Sequence, residues 1–305
     1  MNSDYKIIVV LPDIEYYLWQ MLVQMYNFKK YGLEEKTIFL IGKLGDNVSK
    51  PLENILKNNN TKFTFSILKD ERVNLRYPST LRPNLLKRYL KLNPIEKYLY
   101  IDPDVLFTKK PKFNNLLDNE TQYLSDTKSY ISSKYVKSCS VELFHKMCDI
   151  TSVKPLDIEN IDNNAGGAQY FLKNIGHVFW EKVERDSENL YILMEEENKV
   201  LTTKIQSWTA DMWAVLWNLV YFKKNIKISD ELSFSWATDT IDKWDNNLFF
   251  HNAGLVKKNS KYFSKIEYQK SPFYENFDNI DKNNITYKYV KEIIKTKYVY
   301  NNLIF

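Results

Sequence analysis

Residues 6–41 read KIIVVLPDIEYYLWQMLVQMYNFKKYGLEEKTIFLI, and the periods within that stretch decide the fold. Lys6–Leu11 is a short unbroken apolar run stopped by Pro12, the pattern of a strand buried on both faces. Between Tyr16 and Tyr31, the apolar residues Leu18, Met21, Leu22, Met25 and Phe28 recur at helical spacing, and Gly32 follows as a C-terminal cap. Thr37–Ile41 is then a second strand. The same alternation continues outward: a short helix over Pro51–Lys57, a strand over Lys62–Leu68, a helix over Thr80–Lys91 and a strand over Lys97–Ile101. Strands alternating with helices through short connections are βαβ units. They predict an α/β, Rossmann-like fold with a mostly parallel central sheet flanked by helices, and ligands beyond the carboxyl ends of the strands.

The rest of the chain is less regular. The pattern predicts a strand at Gln122–Leu124, a helix at Ser140–Ile150, a loop over Asn163–Gly167 and a strand at Ala168–Leu172. Helices follow at Val178–Asn198 and Ala210–Phe222, then a strand at Leu248–His251 and an amphipathic helix at Tyr287–Lys295. With seven glycines and nine prolines, no linker stands out. The organisation read from the sequence is therefore one domain over residues 1–260 and a basic, aromatic extension over 261–305 that packs on it.

Composition narrows the class. The 305 residues include 43 Lys+Arg and 38 Asp+Glu, for a net charge of +5, with 44% hydrophobic residues; mean hydropathy is −0.46. Such a chain folds as an ordinary globular protein, and coiled coil, collagen and zinc ribbon are excluded. No run approaches the roughly 18 apolar residues of a membrane span, and the N-terminal apolar run is too short for a signal peptide or anchor. Cys139 and Cys148 fit no metal spacing or disulfide framework, so a cytoplasmic location is the expectation. A pI near 8.8 is a mild welcome to an anionic ligand.

In Lys97–Leu106, KYLYIDPDVL, an apolar strand runs straight into Asp102-Pro103-Asp104. Pro103 fixes φ between the carboxylates, so that both can converge on one hard cation. Oxygen ligands suit Mn²⁺ or Mg²⁺, which keep positions open for the phosphate oxygens of a nucleoside diphosphate. Asp at a strand end also serves plain turns, and that account stands beside the metal one. In Leu248–Lys258, LFFHNAGLVKK, a second apolar strand ends in His251. A histidine there is either a ligand or a satisfied structural residue. Gly254 allows a close backbone approach, and Lys257 supplies a charge within reach of a diphosphate.

These two segments resemble the GT-A fold glycosyltransferases, in which a strand-terminal Asp-x-Asp and a later histidine hold the metal of a nucleotide-sugar donor. The late motif of the glycogenin and lipopolysaccharide galactosyltransferase family, glycosyltransferase family 8, is His-x-x-Gly-x-x-Lys, which His251, Gly254 and Lys257 match. That family continues Pro-Trp where this chain has Lys258-Asn259. The blocks YYLWQMLVQMYNFKKYG, YLYIDPDVLFTKKP and WTADMW are also similar to hydroxyproline arabinosyltransferase-like and peptidyl-serine galactosyltransferase-like proteins.

The resemblance implies roles for particular residues. Asp104 would bind the metal, Asp102 the metal or the donor ribose, and His251 would complete the protein ligands. Lys257 would hold the leaving diphosphate. Arg82 would face the donor, with Lys87 as a second basic residue on the same helix, and a solvated helix face is the competing account for both. Asn163–Gly167 (NNAGG) resembles the segment lining a donor-sugar pocket, so Asn164, Gly166 and Gly167 are substrate-binding candidates, with Gly254 and with Pro12 at the end of the first strand. Asp211, in SWTADMW, is a catalytic or sugar-binding candidate, or only a favourable charge at a helix start. Asp126 is a similar candidate. Trp208, Trp213 and Trp217 could stack on sugars, although the last two lie at core spacing.

Three functions follow. The first is a metal-dependent transferase that moves a sugar from a nucleotide-sugar, UDP-linked in these families, to a hydroxyl on a protein, glycan or lipid, with retention of configuration. The second performs the same donor chemistry on a hydroxymethylated DNA base, encouraged by the Lys-rich stretch Lys257–Lys270. The third is a sugar-nucleotide or glycan-binding module without catalysis.

Overall fold

The computed structural model describes residues 5–117, 120–254 and 261–304. Among the described residues ten strands are formed: β1 Lys6–Pro12, β2 Thr37–Lys43, β3 Thr64–Lys69, β4 Lys97–Ile101, β5 Val105–Phe107, β6 Gln122–Asp126, β7 Gly166–Lys173, β8 Ile226–Ile228, β9 Phe234–Trp236 and β10 Phe249–His251. The ladders β1–β2, β2–β3 and β6–β8 are parallel, while β4–β7 and β6–β7 are antiparallel. The α/β class and the mostly parallel central sheet flanked by helices are thus as read from the sequence. The two antiparallel ladders are an addition.

Backbone contacts group the chain into two compact units. One comprises residues 1–6, 70–100 and 114–232, and the other residues 7–69, 101–113 and 233–305. The C-terminal stretch, read from the sequence as an extension beyond residue 260, falls within the second unit.

In the second unit, β1 is buried from Ile7 to Leu11. It leads through the helix Glu15–Lys30 to β2, with Ile7 opposite Thr37 and Pro12 opposite Gly42. Gly32 closes that helix at φ +70°, a left-handed value that glycine reaches without strain. The next helix, Lys50–Asn58, starts where the Ser49 side chain accepts the Leu52 N–H. The Asp13 carboxylate, just beyond β1, accepts the N–H and hydroxyl of Ser49. A three-stranded sheet in the order β5-β10-β9 completes the unit, with β10 antiparallel to β5 and parallel to β9. The helix Thr286–Val299 packs on the helix Glu15–Lys30.

In the first unit, β7 runs between β4 and β6, and all eight of its residues are buried. It begins at Gly166, so the expected loop ends two residues earlier than read. A bulge breaks the β6–β7 register between Leu124 and Ser125, and Ala168 opposite it has φ +66°. The helices His177–Glu197 and Ala210–Tyr221 pack against each other, and the second is buried from Ala210 to Leu219. Trp213 and Trp217 are fully buried there with rings 5.4 Å apart, which makes them core residues and not sugar platforms.

Candidate active site

The Asp-x-Asp segment is a turn. The Asp102 carbonyl accepts the Val105 N–H at 3.2 Å, which places Asp102 and Pro103 at the first two positions of a four-residue turn, where Asp and Pro are favoured. A buried glutamine clasps it: Gln24 Nε2, from the helix Glu15–Lys30, donates to the carbonyls of Asp102 at 2.9 Å and Val105 at 2.8 Å. The turn delivers the chain into β5, which pairs with β10 so that His251 lies opposite Val105. One further bond, Asn252 N–H to the Asp104 carbonyl at 3.1 Å, continues that ladder. The start of β5, preceded by the two aspartates, is thereby laid beside the end of β10, which carries His251.

The result is a cluster of Asp102, Asp104 and His251 whose ligand atoms all lie within 4.8 Å of one another. His251 Nε2 is 3.3 Å from Asp104 Oδ1 and 3.7 Å from Asp102 Oδ2. Ligands at right angles, each about 2.1 Å from one ion, lie about 3 Å apart, so the three donors fit neighbouring positions around a divalent cation. The imidazole is held from behind. Trp236, opposite His251 in β9, stacks on it with centroids 5.8 Å apart at 12°, and Phe234 lies against it at 5.7 Å.

The other oxygen of Asp104 is taken. Lys265, 161 residues further on, pairs its ammonium with Asp104 Oδ2. Burial alone would raise the Asp104 carboxyl, but Lys265 and His251 outweigh it and hold the group well below the usual carboxylate range. Burial likewise opposes the charge of Lys265, and Asp104, Tyr16 and Asp102 around it keep it above an ordinary lysine. Sequence reading missed Lys265, Gln24 and Trp236.

A second group lies in the first unit. Arg82 and Asp211, singled out separately in the sequence, form an ion pair with Arg82 Nη2 2.6 Å from Asp211 Oδ2. Asp211 Oδ1 accepts the Tyr77 hydroxyl at 2.6 Å, and the same hydroxyl accepts the Asp211 N–H. Burial foremost, and then the Asp211 charge, push the Tyr77 phenol well above its ordinary value, so it stays a donor. Tyr77 is itself fixed by Arg72, which donates to the Tyr77 and Pro78 carbonyls and grips Asp70 with two bonds of 2.9 and 2.7 Å. Lys87 is paired with Glu184, and Trp208 is exposed.

Asp126, Asn164, Gly166 and Gly167 meet around the β6–β7 ladder, where Asp126 is opposite Gly166 and Ser125 opposite Gly167. Exposed Asp126 pairs with Lys128 at 3.1 Å, and Asn164 Oδ1 accepts the Ile228 N–H at 3.3 Å. Both glycines are explained by packing. A Cβ at Gly166 would lie 2.6 Å from the Ser125 carbonyl oxygen, and one at Gly167 would lie 2.5 Å from Met212 Cε, next to Asp211. Pro12 ends β1 in the second unit, half-buried. Gly254 has φ +94°, with ordinary contacts to Trp236 and Thr238, so its backbone angle calls for glycine. Lys257 lies outside the described residues.

No family model and no curated protein matches the chain. Among solved structures it is similar to WbbM, a bifunctional glycosyltransferase in its apo form, with 11% identity and a TM-score of 0.50 over 99% of this chain and 51% of that one. It is also similar to the galactosyltransferase LgtC in complex with donor and acceptor sugar analogues, with 10% identity, a TM-score of 0.45 and coverage of 86% and 93%. The chain spans about half the length of WbbM. The likeness to WbbM is one of fold, and the architecture is the GT-A type read from the sequence.

Proposed function

We propose that the chain is a metal-dependent glycosyltransferase that moves a sugar from a nucleotide-sugar, most simply a UDP-sugar, to an acceptor hydroxyl on a protein, glycan or lipid. The observation that carries this reading is the convergence of Asp102, Asp104 and His251 at the ends of adjacent strands. Two carboxylates and one imidazole suit Mn²⁺ better than Mg²⁺, because Mg²⁺ takes oxygen ligands almost exclusively. Such an ion would supply charge neutralisation on the nucleoside diphosphate leaving group. The chain's own residues do the holding. Gln24 fixes the turn, Trp236 fixes the imidazole plane, and Asp104 offers its Oδ1 oxygen toward His251.

Lys257 is proposed to neutralise the leaving diphosphate, with Gly254 beside it and Pro12 among the donor contacts. Arg82, Asp126, Asn164, Gly166 and Gly167 are proposed for the sugar and its phosphates. Asp211 is proposed to aim Arg82, since both its oxygens are engaged by protein partners. Retention of configuration is proposed by analogy with the resembled families. A cytoplasmic location remains the reading, and no helix among the described residues is long and apolar enough to cross a membrane. For the DNA alternative, Lys265 subtracts from the basic stretch, because its charge is spent on Asp104.

The test is nucleotide release from a panel of UDP-, GDP- and CMP-sugars with Mn²⁺, Mg²⁺ or EDTA, for the wild type and Asp104→Asn. Metal-dependent release from one donor, absent in the variant, is the expected result. If no donor turns over and none binds with the metal, the transferase reading fails and the binding-module reading replaces it.

A further inference from the structure

Lys265 is a built feature. Its side chain is 22% exposed and that of Asp104 is 5% exposed. The short turn that carries it, Lys265–Glu267, is flanked by fixed aromatics: Phe263 stacks on Tyr268 at 4.9 Å and 9°, and Trp19 Nε1 donates to the Tyr268 carbonyl at 3.0 Å. An ammonium anchored this way is held against Asp104 by the fold and not by a flexible surface stem.

The charges around the centre then oppose each other. With the imidazole neutral, as metal ligation requires, Asp102, Asp104 and Lys265 together carry one negative charge. Without Lys265 they would carry two. A divalent cation arriving at Asp104 Oδ1 meets a lysine already bound to the other oxygen of the same carboxylate. We propose that Lys265 is the resident counter-cation of this centre, which neutralises Asp104 before a metal binds and thereby weakens the site's affinity for a divalent ion taken up alone. The inference rests on the reading of Asp102, Asp104 and His251 as metal ligands and adds a residue that opposes them.

The experiment is a titration with Mn²⁺ alone, free ion being read by its electron paramagnetic resonance signal, on the full chain and on Lys265→Met, Lys265→Gln and Asp104→Asn. A unit charge removed a few ångströms from a partly buried dication alters its binding by at least about tenfold. Lys265→Met is therefore expected to bind Mn²⁺ at least tenfold tighter than the wild type, the order of change set by that charge. Lys265→Gln keeps an N–H donor for Asp104 and drops only the charge, and it gives the same reading if the methionine variant fails to fold by circular dichroism. A folded variant whose affinity equals or falls below that of the wild type overturns the inference and leaves the metal centre standing. If the wild type and both folded Lys265 variants bind Mn²⁺ no better than Asp104→Asn, the inference and the metal centre are both overturned.

Discussion

Arg82 and Asp211 face each other at 2.6 Å in the first unit, with the Tyr77 hydroxyl on the other Asp211 oxygen. Asp211 is 7% exposed, so a charge there without its partner is expensive. Arg82→Met is expected to destabilise the protein by about 2 kcal/mol, below the value for a fully buried pair because the Arg82 side chain is 23% exposed. Asp211→Asn, whose amide oxygen still accepts a hydrogen bond, should cost clearly less. Urea unfolding of the two variants gives the comparison, and equal losses would deny the pair its role.

The turn at Asp102 hangs on Gln24. Gln24→Leu preserves volume but strips the Asp102 and Val105 carbonyls of a buried donor, for a cost of about 2 kcal/mol. Because the turn aims both aspartates, Mn²⁺ affinity should fall by roughly 10- to 100-fold in the same variant. Parallel urea and Mn²⁺ titrations separate the two effects. A stability loss with unchanged affinity would mean that the clasp supports the fold alone.

Metal binding should be visible as stability. At a free Mn²⁺ concentration 100 times its dissociation constant, the bound state gains about 2.7 kcal/mol, and the unfolding midpoint should rise by about 4 °C. Asp104→Asn and His251→Ala should show no such rise. Differential scanning calorimetry with and without EDTA reads this directly.

How much of this was legible in the sequence depends on distance along the chain. Asp102, Asp104 and His251 each stand just beyond an apolar run, and a strand end is something a local pattern marks. Trp236 joins the site through the pairing of β9 with β10, strands of three residues that are too short to show a period, while Gln24 and Lys265 join it from a helix and a turn by side-chain contacts across 78 and 161 residues of chain. The direction of β7 was hidden for another reason. All eight of its residues are buried, Gln169 and Lys173 included, so it shows none of the in-and-out alternation that marks an antiparallel strand, although it runs antiparallel to both neighbours.

The two strand glycines predict a ranking. A methyl at Gly166 meets a backbone oxygen at 2.6 Å and Leu124 Cβ at 2.7 Å, neither of which can turn aside. At Gly167 the nearest atom is the end of the Met212 side chain, which can swing. Gly166→Ala should therefore cost about 3 kcal/mol or more and Gly167→Ala about 1 kcal/mol. Chemical denaturation checks the order, and the reverse order would place something other than protein packing beside Gly167.

The grip of Arg72 on Asp70 predicts an acid dependence. Burial opposes the Asp70 charge, but the bonds from Arg72 win and hold its carboxyl below the ordinary value of 3.8. A carboxyl depressed in the fold stabilises above its unfolded pKa and loses that contribution as pH falls through the folded value. The advantage of the wild type over Asp70→Asn should thus be constant from neutral pH down to about 5 and shrink below about 4. Melting temperatures measured across that range test the sign.

Asp104 and Lys265 are 161 residues apart, with His251 supplied by the same late part of the chain. During synthesis the aspartate turn leaves the ribosome long before its histidine and its lysine exist. Until then Asp104 is an exposed, ordinary carboxylate with no cation to meet it. The centre is among the last features to assemble, so its spectroscopic signature would serve as a reporter of completed folding and not of an early nucleus.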